Sequence, residues 1–451
     1  MSNFEALSTR VDRYLPAQIE GLRRLVQIPS ISSDPARADQ MAQSAQTVAD
    51  MFAELGFNVE LCQATAEDGT EGQPAVLAVK SAANPDAPTV LLYAHHDVQP
   101  LGEVDRWSYE PLELTEVGDR LYGRGSADDG AGIMVHVGAL RALGEDLPVN
   151  VVVFIEGEEE IGSPSFTAFL EKYRDRLSAD VIVVADSNNW TVDVPALTSS
   201  LRGVCSCDVK VEVLEHAVHS GMFGGPILDA VTLASRLIAT LHDENGDVAV
   251  PGLGGNDRAE VEWQESDFRA DASVVDGYQL AGTGDLAARV WTKPALAVIG
   301  MDVRPIAESS NTIAPQCTFR LSLRTVPGSD PRQSLSALTE YLQAQAPFGA
   351  RVSVTPGELG PSYQADLSAP VAEKLRAALG SAWGTTPVAI GVGGSIPFIS
   401  DFQAAFPGAQ VLVTGVEDPQ ANAHSENESA SRKTLRNATL AEALFLESLA
   451  E

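Results

Sequence analysis

The sequence is poor in basic residues. Its 451 residues include 30 lysines and arginines against 62 aspartates and glutamates, which gives a formal net charge of −32. Nucleic acids and anionic membrane surfaces bind proteins through a basic face, so this charge argues against both as ligands. The sequence also lacks an apolar run approaching the roughly 18 residues that a membrane-spanning helix needs. The chain is therefore predicted to bind neither nucleic acid nor a membrane.

Cysteines are also few, and they form no Cys-x-x-Cys pair: Cys62, Cys205, Cys207 and Cys317. A chain of this length does not depend on disulfides for its stability. The first twenty residues contain neither the apolar segment nor the cleavage site typical of a secretory signal. Together these features predict free thiols and a cytoplasmic protein.

The length of the chain exceeds what one hydrophobic core usually serves, which predicts two domains. In the first 200 residues, apolar strand patterns alternate with helical patterns. The clearest strands are Ala75–Lys80, Thr89–Asp97, Asn150–Ile155 and Asp180–Asp186. This alternation predicts an α/β fold with a mostly parallel sheet flanked by helices. Ligands on such sheets bind at the carboxyl ends of the strands.

The pattern changes near residue 203. Apolar and polar residues then alternate with period two in segments 204–215, 317–326 and 350–356. With the helical patterns between them, these segments predict an α+β domain with a half-exposed antiparallel sheet. The first pattern returns at about residue 360. We therefore predict a discontinuous catalytic domain with a smaller domain inserted in it, with the boundaries 1–203 and 361–451 for the first and 204–360 for the second.

Acidic and histidine residues follow the ends of the predicted strands or lie in loops before helices: His95, Asp97, Asp128, Glu159, Glu160, Asp186 and His424. Because parallel strands deliver their carboxyl ends to one edge of the sheet, these side chains should converge. A single strand-end carboxylate is more often a helix cap or a solvated loop residue. The prediction of a functional site therefore depends on the convergence of several such ends.

Converging carboxylates repel one another and raise each other's pKa unless a cation lies between them. Imidazoles among carboxylates suit Zn²⁺ or a similar first-row metal better than Mg²⁺ or Ca²⁺. The number of candidate ligands is enough for two metal ions that share one carboxylate, about 3.5–4 Å apart. The strand ends therefore predict a dinuclear metal site.

Six stretches resemble the zinc metallopeptidase family that includes cytosolic nonspecific dipeptidase, carnosinase, carboxypeptidase G, aminoacylase and succinyl-diaminopimelate desuccinylase. They occur in the order and approximate spacing of the dipeptidase branch: YAHHDVQP, LYGRGSADDGAG, EGEEEIGS, VHSGMFGG, GGSIPF and AHSEN. The resemblance extends from about Tyr14 to Leu449. Joint occurrence of several long motifs makes it highly specific.

The resemblance implies a role for each candidate metal ligand. His95 and Asp186 would bind one ion, Glu160 and His424 would bind the other, and Asp128 would bridge the two. Relatives often have a cis peptide bond after the bridging residue. The implied cofactor is two Zn²⁺ per subunit, with Mn²⁺ or Co²⁺ as alternatives.

The resemblance also implies the catalytic residues of this domain. Asp97 would orient the imidazole of His95, as metal-bound histidines require. Glu159 would be the general base that takes a proton from the metal-bridging water. Glu156 and Glu158, in the same acidic stretch, are assigned no chemical role.

The inserted domain carries further motif residues. In relatives this domain mediates dimerisation, and the histidine that matches His219 reaches the partner's active site to polarise the scissile carbonyl. Asn311 and Arg324 match positions that hold the substrate's carboxylate or the reacting carbonyl. Gly394 and Ser395 belong to a stretch that resembles a substrate-binding loop. A homodimer is therefore predicted, with a small peptide as its substrate.

The chain departs from the dipeptidase branch at two positions. Gly130 stands where relatives often have lysine after the paired aspartates, and Gly391 stands where they often have arginine before the paired glycines. Neither position is a predicted metal ligand. The second departure concerns the pocket for the substrate's carboxylate.

The predicted function is a dinuclear zinc dipeptidase that cleaves short peptides with a free C-terminal carboxylate. One alternative is an amidohydrolase of the same fold, which removes an acyl or succinyl group from an amino acid. Another alternative, of a different class, is a non-catalytic binding protein that has kept the fold. The complete set of ligands together with Glu159 argues against this last alternative.

Overall fold

The computed structural model describes residues 3–394 and 397–450. The chain divides into two compact units. One contains the residues up to Ser199, the segment Ala365–Ala389 and the residues from Pro397 onward, and the other contains Ser200–Gln364 and the segment that begins at Ile390. In the described part of the chain, every helix is too short or too polar to cross a membrane.

The strands, numbered in chain order, are β1 Asn58–Cys62, β2 Ala75–Lys80, β3 Thr89–His95, β4 Thr115–Val117, β5 Arg120–Tyr122, β6 Asn150–Glu156, β7 Val181–Val184, β8 Ala196–Leu201, β9 Gly203–Glu212, β10 Val218–His219, β11 Ala295–Met301, β12 Thr312–Ile313, β13 Gln316–Thr325, β14 Arg351–Gly360, β15 Tyr363–Gln364, β16 Val388–Val392, β17 Gln410–Val413 and β18 Ser429–Ser431.

The α-helices are α1 Asn3–Val26, α2 Ala38–Glu54, α3 Gly130–Leu143, α4 Phe166–Lys172, α5 Arg174–Leu177, α6 Ser220–Phe223, α7 Ala230–Ala239, α8 Glu265–Asp271, α9 Leu286–Trp291, α10 Pro331–Ala344, α11 Pro370–Trp383, α12 Pro397–Ala405 and α13 Arg432–Ser448.

The first unit is built on a large mixed sheet whose strands run in the order β1-β2-β6-β3-β7-β17-β8. Neighbouring strands are parallel in the centre, from β6 through β3 and β7 to β17. They are antiparallel at β1, β2 and β8. The central strands β3 and β6 are buried along almost their whole length, as expected for strands covered on both faces. The predicted α/β fold is confirmed, but the sheet is mixed: it is parallel in its centre and antiparallel toward its edges.

Helices α1, α3, α11 and α13 pack against one another beside this sheet. Helix α3 has no polar face, since nearly all of its residues from Gly130 to Ala142 are buried. A helix that is apolar all round belongs in a core. It begins directly after Asp128 and Asp129, so its burial fixes the position of these two carboxylates.

The second unit contains an antiparallel sheet in the order β11-β13-β9-β14. Strand β9 alternates buried and half-buried residues, which is the period-two pattern of a sheet with one covered face. Helices α7 and α10 pack on this sheet. Cys205, Cys207 and Leu321 belong to the core between sheet and helices. The predicted α+β architecture of the inserted segment is confirmed.

Candidate metal centre

The candidate centre lies where the parallel strands of the first unit end. His95 is the last residue of β3, and it pairs in register with Glu156, the last residue of β6. Asp186 follows β7 by two residues, and Glu159 and Glu160 begin a short 3₁₀ helix just after β6. The buried apolar runs thus end at one edge of the sheet, and the polar residues that follow them meet there.

Asp128 lies between two histidines. Its Oδ1 is 2.9 Å from His95 Nε2, and its Oδ2 is 2.8 Å from His424 Nε2. Asp186 Oδ2 is 4.0 Å from the same nitrogen of His95, and Glu160 Oε2 is 3.1 Å from that of His424. The five side chains predicted as ligands are therefore brought together, with one oxygen of Asp128 toward each histidine.

The potential ligand atoms form two groups in which all atoms lie within 4.8 Å of one another. The groups are His95, Asp129 and Asp186, and Asp128, Glu160 and His424. Imidazole nitrogens and carboxylate oxygens are the donors that zinc and similar first-row metals take in proteins. This set of donors fits two such ions, and Asp128 is placed to share them.

Asp129 belongs to the first group, yet both of its oxygens already accept backbone hydrogen bonds. Oδ1 accepts from Gly132 N at 3.1 Å and Oδ2 from His95 N at 3.2 Å. The first bond caps the N-terminus of α3. Asp129 thus links the helix to the end of β3. The peptide bond between Asp128 and Asp129 is cis.

The electrostatics of the carboxylates also favour a cation. Burial raises the pKa of Asp186 to about 7, and repulsion from Asp128 and Glu160 adds to the shift. Burial likewise raises the pKa of Glu159 well above its usual value, with a further contribution from Asp186. A cation among these groups would offset both the desolvation and the repulsion.

The pKa values of His95 and His424 are raised as well, but by hydrogen bonds rather than by burial. Burial lowers the pKa of His95, but the hydrogen bonds to Asp128 and Asp97 outweigh it and hold the pKa well above its usual value. Hydrogen bonds to Asp128 and Glu160 raise the pKa of His424 to about 11. A metal must displace these protons, because only neutral imidazole is a ligand. Metal ions bound here would balance the charge of the carboxylates in place of protons on these two imidazoles.

Asp97 contacts both His95 and the loop that carries Glu159 and Glu160. Its Oδ1 lies 3.4 Å from His95 Nδ1, and its backbone carbonyl lies 3.0 Å from the same nitrogen. Its two carboxylate oxygens accept hydrogen bonds from the backbone N–H groups of Glu159 and Glu160, at 3.2 and 3.1 Å. The side chain is fully buried. Asp97 can thus orient the His95 ring and hold the loop of the two glutamates at once.

The other two glutamates of the acidic stretch point elsewhere. Glu156 accepts a hydrogen bond of 2.7 Å from the hydroxyl of Tyr93. Glu158 accepts from the backbone N–H of Gln73 at 2.9 Å and from Ser165. Both carboxylates are hydrogen-bonded to groups that are not candidate metal ligands. These hydrogen bonds anchor the loop after β6.

Glu428 is a residue that the sequence did not single out. It is completely buried, and its carboxylate holds the loop that leads to Asp128. Its oxygens accept hydrogen bonds from Arg124 Nη1 at 2.5 Å and from the backbone N–H groups of Gly125, Ala127 and Asp128. The sequence feature that could have pointed to Glu428 is its position four residues after His424. Its pairing with Arg124 spans 304 residues and has no local pattern.

In the second unit, His219 and Asn311 are neighbours. Strands β10 and β12 pair His219 with Thr312, and Ser220 N donates to the carbonyl of Asn311 at 3.0 Å. Nδ1 of His219 accepts a hydrogen bond from Gly221 N at 3.0 Å. In the neutral ring the proton then lies on Nε2, so the exposed side chain offers a hydrogen-bond donor.

The remaining predicted substrate residues also belong to the second unit. Arg324 is half-buried on β13. Gly394 follows β16, and a Cβ placed on it would meet open space. Ser395 lies outside the described residues. At Gly391, a Cβ would lie 2.5 Å from Cβ of Trp291, so packing excludes the arginine that relatives often have here.

The comparisons with known proteins agree with the motifs. The model of peptidase family M20/M25/M40 matches residues 91–448. Cysteinylglycine-S-conjugate dipeptidase of Corynebacterium striatum is 33% identical over 458 aligned positions, which cover 99% of each chain. Beta-Ala-His dipeptidase of Mus musculus is 28% identical and covers 98% of this chain and 95% of its own.

Solved protein structures with a similar fold are also known. Human carnosine dipeptidase 1 superposes with a TM-score of 0.74 at 25% identity, covering 100% of this chain and 99% of that chain. The resemblance inferred from the six motifs is thereby confirmed. With a family model that spans most of its length and a relative 33% identical from end to end, this chain belongs to peptidase family M20/M25/M40.

Proposed function

We propose that this protein is a dipeptidase that hydrolyses the peptide bond of dipeptides or short peptides with a free C-terminal carboxylate. The observation that carries the proposal is the position of Asp128 between His95 and His424, with one carboxylate oxygen toward each. Further support comes from relatives named as dipeptidases that align over nearly the whole chain.

The cofactor in this proposal is a pair of Zn²⁺ ions per subunit, with Mn²⁺ or Co²⁺ as alternatives. His95 and Asp186 would hold one ion, Glu160 and His424 the other, and Asp128 both. Bound there, the ions would supply a water of lowered pKa and would polarise the scissile carbonyl. Support for this assignment comes from the short separations among these donor atoms.

Glu159 is the proposed general base. Its carboxylate would take a proton from the attacking water and pass it to the leaving amine nitrogen as the C–N bond breaks. Burial and the neighbouring Asp186 raise its pKa, which favours uptake of a proton. Asp97 would keep this residue in position through the backbone N–H of Glu159 and would orient His95 at the same time.

Substrate binding is assigned to residues of the second unit: His219, Asn311, Arg324, Gly394 and Ser395. His219 would donate its Nε2 proton to the carbonyl oxygen on which charge develops. Its hydrogen bond from Gly221 supports that tautomer. In this proposal the histidine acts on the active site of a partner subunit, so the enzyme is a homodimer.

An edge strand of the second unit supports the homodimer. Strand β11 borders its sheet on one side, and Val298 and Ile299 on it are 40% and 59% exposed. An exposed edge strand with apolar side chains is a site where another chain can pair. We assign catalysis to residues 1–203 and 361–451, the lid and dimer contact to residues 204–360, and the protein to the cytoplasm.

A substrate panel tests the proposed function. Metal-loaded protein is assayed with Xaa-Ala dipeptides beside N-acetyl and N-succinyl amino acids of the same residues. The expected result is a higher kcat/KM for the dipeptides. Preference for the acylated amino acids would instead identify a deacylase or desuccinylase, since the same centre can hydrolyse either amide. No hydrolysis of any amide would favour a binding protein and would overturn the proposal.

A further inference from the structure

His136 is a fully buried histidine on α3 that the proposed mechanism does not use. Its Nδ1 lies 3.0 Å from Oε1 and 2.8 Å from Oε2 of Glu442 on α13. Its Nε2 lies 3.0 Å from the backbone carbonyl oxygen of Tyr93 on β3. One imidazole therefore joins two helices and a strand of the large sheet, all within the first unit.

Both ring nitrogens of His136 face hydrogen-bond acceptors. A carbonyl oxygen and an ionised carboxylate can only accept, so each nitrogen must carry a proton and the ring is an imidazolium. Burial lowers the pKa of His136, but the charge of Glu442 and the hydrogen bond to it outweigh burial and raise the pKa above its usual value. The two side chains thus form a buried ion pair, and the second ring proton is directed at the carbonyl of Tyr93.

Stability alone does not require such a pair. The cost of removing two charges from water is often as large as their attraction, and apolar side chains of similar volume can often replace a buried ion pair without loss of stability. Apolar side chains would not supply a hydrogen bond to the carbonyl of Tyr93. The contribution specific to His136 is therefore its bond to the strand.

The carbonyl of Tyr93 lies where two neighbouring strands with proposed metal ligands are joined. It also accepts a hydrogen bond of 3.0 Å from the backbone N–H of Ala185, the residue before Asp186. Tyr93 precedes His95 by two residues on β3, which pairs in parallel with β7. The Nε2 proton of His136 therefore reaches the sheet close to the ends of both strands.

Helix α3 is attached to β3 at two points. At its N-terminus, Asp129 accepts a hydrogen bond of 3.2 Å from the backbone N–H of His95. About two turns later, His136 donates to the carbonyl of Tyr93. Asp128 comes directly before Asp129, so the two attachments together fix where its carboxylate lies relative to His95. Without the second attachment, the orientation of α3 against β3 would depend on the first and on apolar packing.

We propose that His136 is a positioning residue of the metal centre. Through the carbonyl of Tyr93 it holds His95 and Asp186 in place for the ion that they would share. The inference rests on the proposed dinuclear centre, since it assigns His136 a role toward one of the two ions. A purely structural role, in which the pair with Glu442 only joins α3 to α13, is the competing explanation.

Two substitutions separate these roles, because asparagine and glutamine each mimic one ring nitrogen of histidine. The amide nitrogen of asparagine reaches the position of Nδ1, and that of glutamine reaches the position of Nε2. His136→Gln therefore keeps a donor toward Tyr93 and loses the bond to Glu442, whereas His136→Asn does the opposite. His136→Leu keeps neither donor and takes the place of His136→Asn if that protein does not fold.

Affinity for Co²⁺, followed by its visible absorption and by competition with a chelator, is measured without turnover. The binding step of the His95–Asp186 ion is the one that Asp186→Ala removes. Loss of an outer partner of a metal ligand typically costs about 10- to 100-fold in affinity. Because His136 acts through one further residue, we expect the lower end, about tenfold, for this step in His136→Asn and His136→Leu. His136→Gln should bind both ions as the wild-type protein does, although its unfolding temperature falls.

Gln18→Met is the matched control. Gln18 is buried between the same two helices, and its Nε2 donates to the carbonyl of Met134 on α3 and to the hydroxyl of Thr439 on α13, both at 2.9 Å. These partners lie on the helices and not on β3. The variant should lower the unfolding temperature and leave the affinity for both ions unchanged.

The pattern across the variants decides between the two roles. Weaker binding of the His95–Asp186 ion in His136→Asn, with normal binding in His136→Gln and Gln18→Met, supports the inference. Metal affinity that instead follows the unfolding temperature, or that is equal in all four variants, would overturn the inference and leave the proposed peptidase function intact. A wild-type protein that binds no metal would overturn the dinuclear centre itself, and the inference with it.

Discussion

The backbone N–H of Glu160 lies 3.1 Å from Oδ2 of Asp97. This bond connects Asp97, two residues after the end of β3, to the loop after β6, and the other oxygen of Asp97 accepts from the backbone N–H of Glu159. One buried carboxylate thereby fixes a proposed metal ligand and the proposed general base relative to each other. His95, on the other side of Asp97, is fixed by the same residue.

Asp97→Asn should weaken the site without removing a ligand. An amide offers one acceptor in place of two, and its NH₂ group would face a backbone N–H. Loss of such outer partners typically costs about 10- to 100-fold in metal affinity or activity. Metal affinity and kcat are measured by competition with a chelator and by dipeptide turnover. Asp105→Asn, in an exposed position, is the control; equal behaviour of the two variants would refute the positioning role.

Glu428→Gln should loosen the loop that carries Asp128. The substitution removes the charge that pairs with the buried Arg124, and breaking a buried pair typically destabilises a protein by roughly 3–5 kcal/mol. We expect a lower unfolding temperature and weaker metal binding together. Glu426→Gln is the control, since Glu426 accepts a hydrogen bond at the surface from the backbone N–H of Glu103. Unaltered metal affinity in Glu428→Gln would show that Asp128 is positioned without it.

His219→Ala should keep the metal content but lose most activity. Removing one donor to a developing oxyanion typically costs about 10²–10³ in kcat. If His219 acts across a dimer, mixing this variant with metal-deficient Asp128→Ala should restore activity after subunit exchange. One of the two sites in a heterodimer would then be complete, giving up to about half of wild-type activity. Demonstrated exchange without recovery would place His219 in its own subunit or in a structural role.

Glu159→Gln should bind metal normally and lower kcat by several orders of magnitude, because the amide cannot accept the proton of the water. Metal content is measured by elemental analysis of the dialysed protein. Glu171→Gln, at an exposed position of α4, is the control. Loss of metal from Glu159→Gln, with normal turnover by whatever metal remains, would mean that the roles of Glu159 and Glu160 are reversed.

The sequence predicted the centre of the fold well because its signals there are local. Strands β3 and β6 are runs of apolar residues buried on both faces, and polar residues follow them at one edge. The convergence of His95 and Asp186 follows from the parallel direction of β3 and β7. Asp128 reaches the same place because it directly precedes the buried helix α3. A helical pattern over roughly residues 3–26 predicts helix α1, and the structure has this helix at Asn3–Val26.

Other parts could not be read from local patterns. Strand β1 is short and mostly exposed. It pairs antiparallel with β2, so this edge of the sheet is antiparallel. The sequence pattern over residues 165–176 predicts one helix, whereas the structure has two, α4 and α5, divided at Tyr173. The bond between Arg124 and Glu428 and the contact of Arg202 with Gly393 join residues distant in the chain. Such pairings depend on tertiary packing, which a single sequence does not specify.

A metal titration of dipeptide hydrolysis tests most directly whether the protein is a peptidase with two metal ions. Metal-free protein is supplied with Zn²⁺, and separately with Mn²⁺ or Co²⁺, while bound metal and turnover of a dipeptide are followed in the same samples. We expect no turnover without metal and maximal turnover at two bound ions per subunit. Full activity in the metal-free protein, or no hydrolysis with two ions bound, would contradict this expectation.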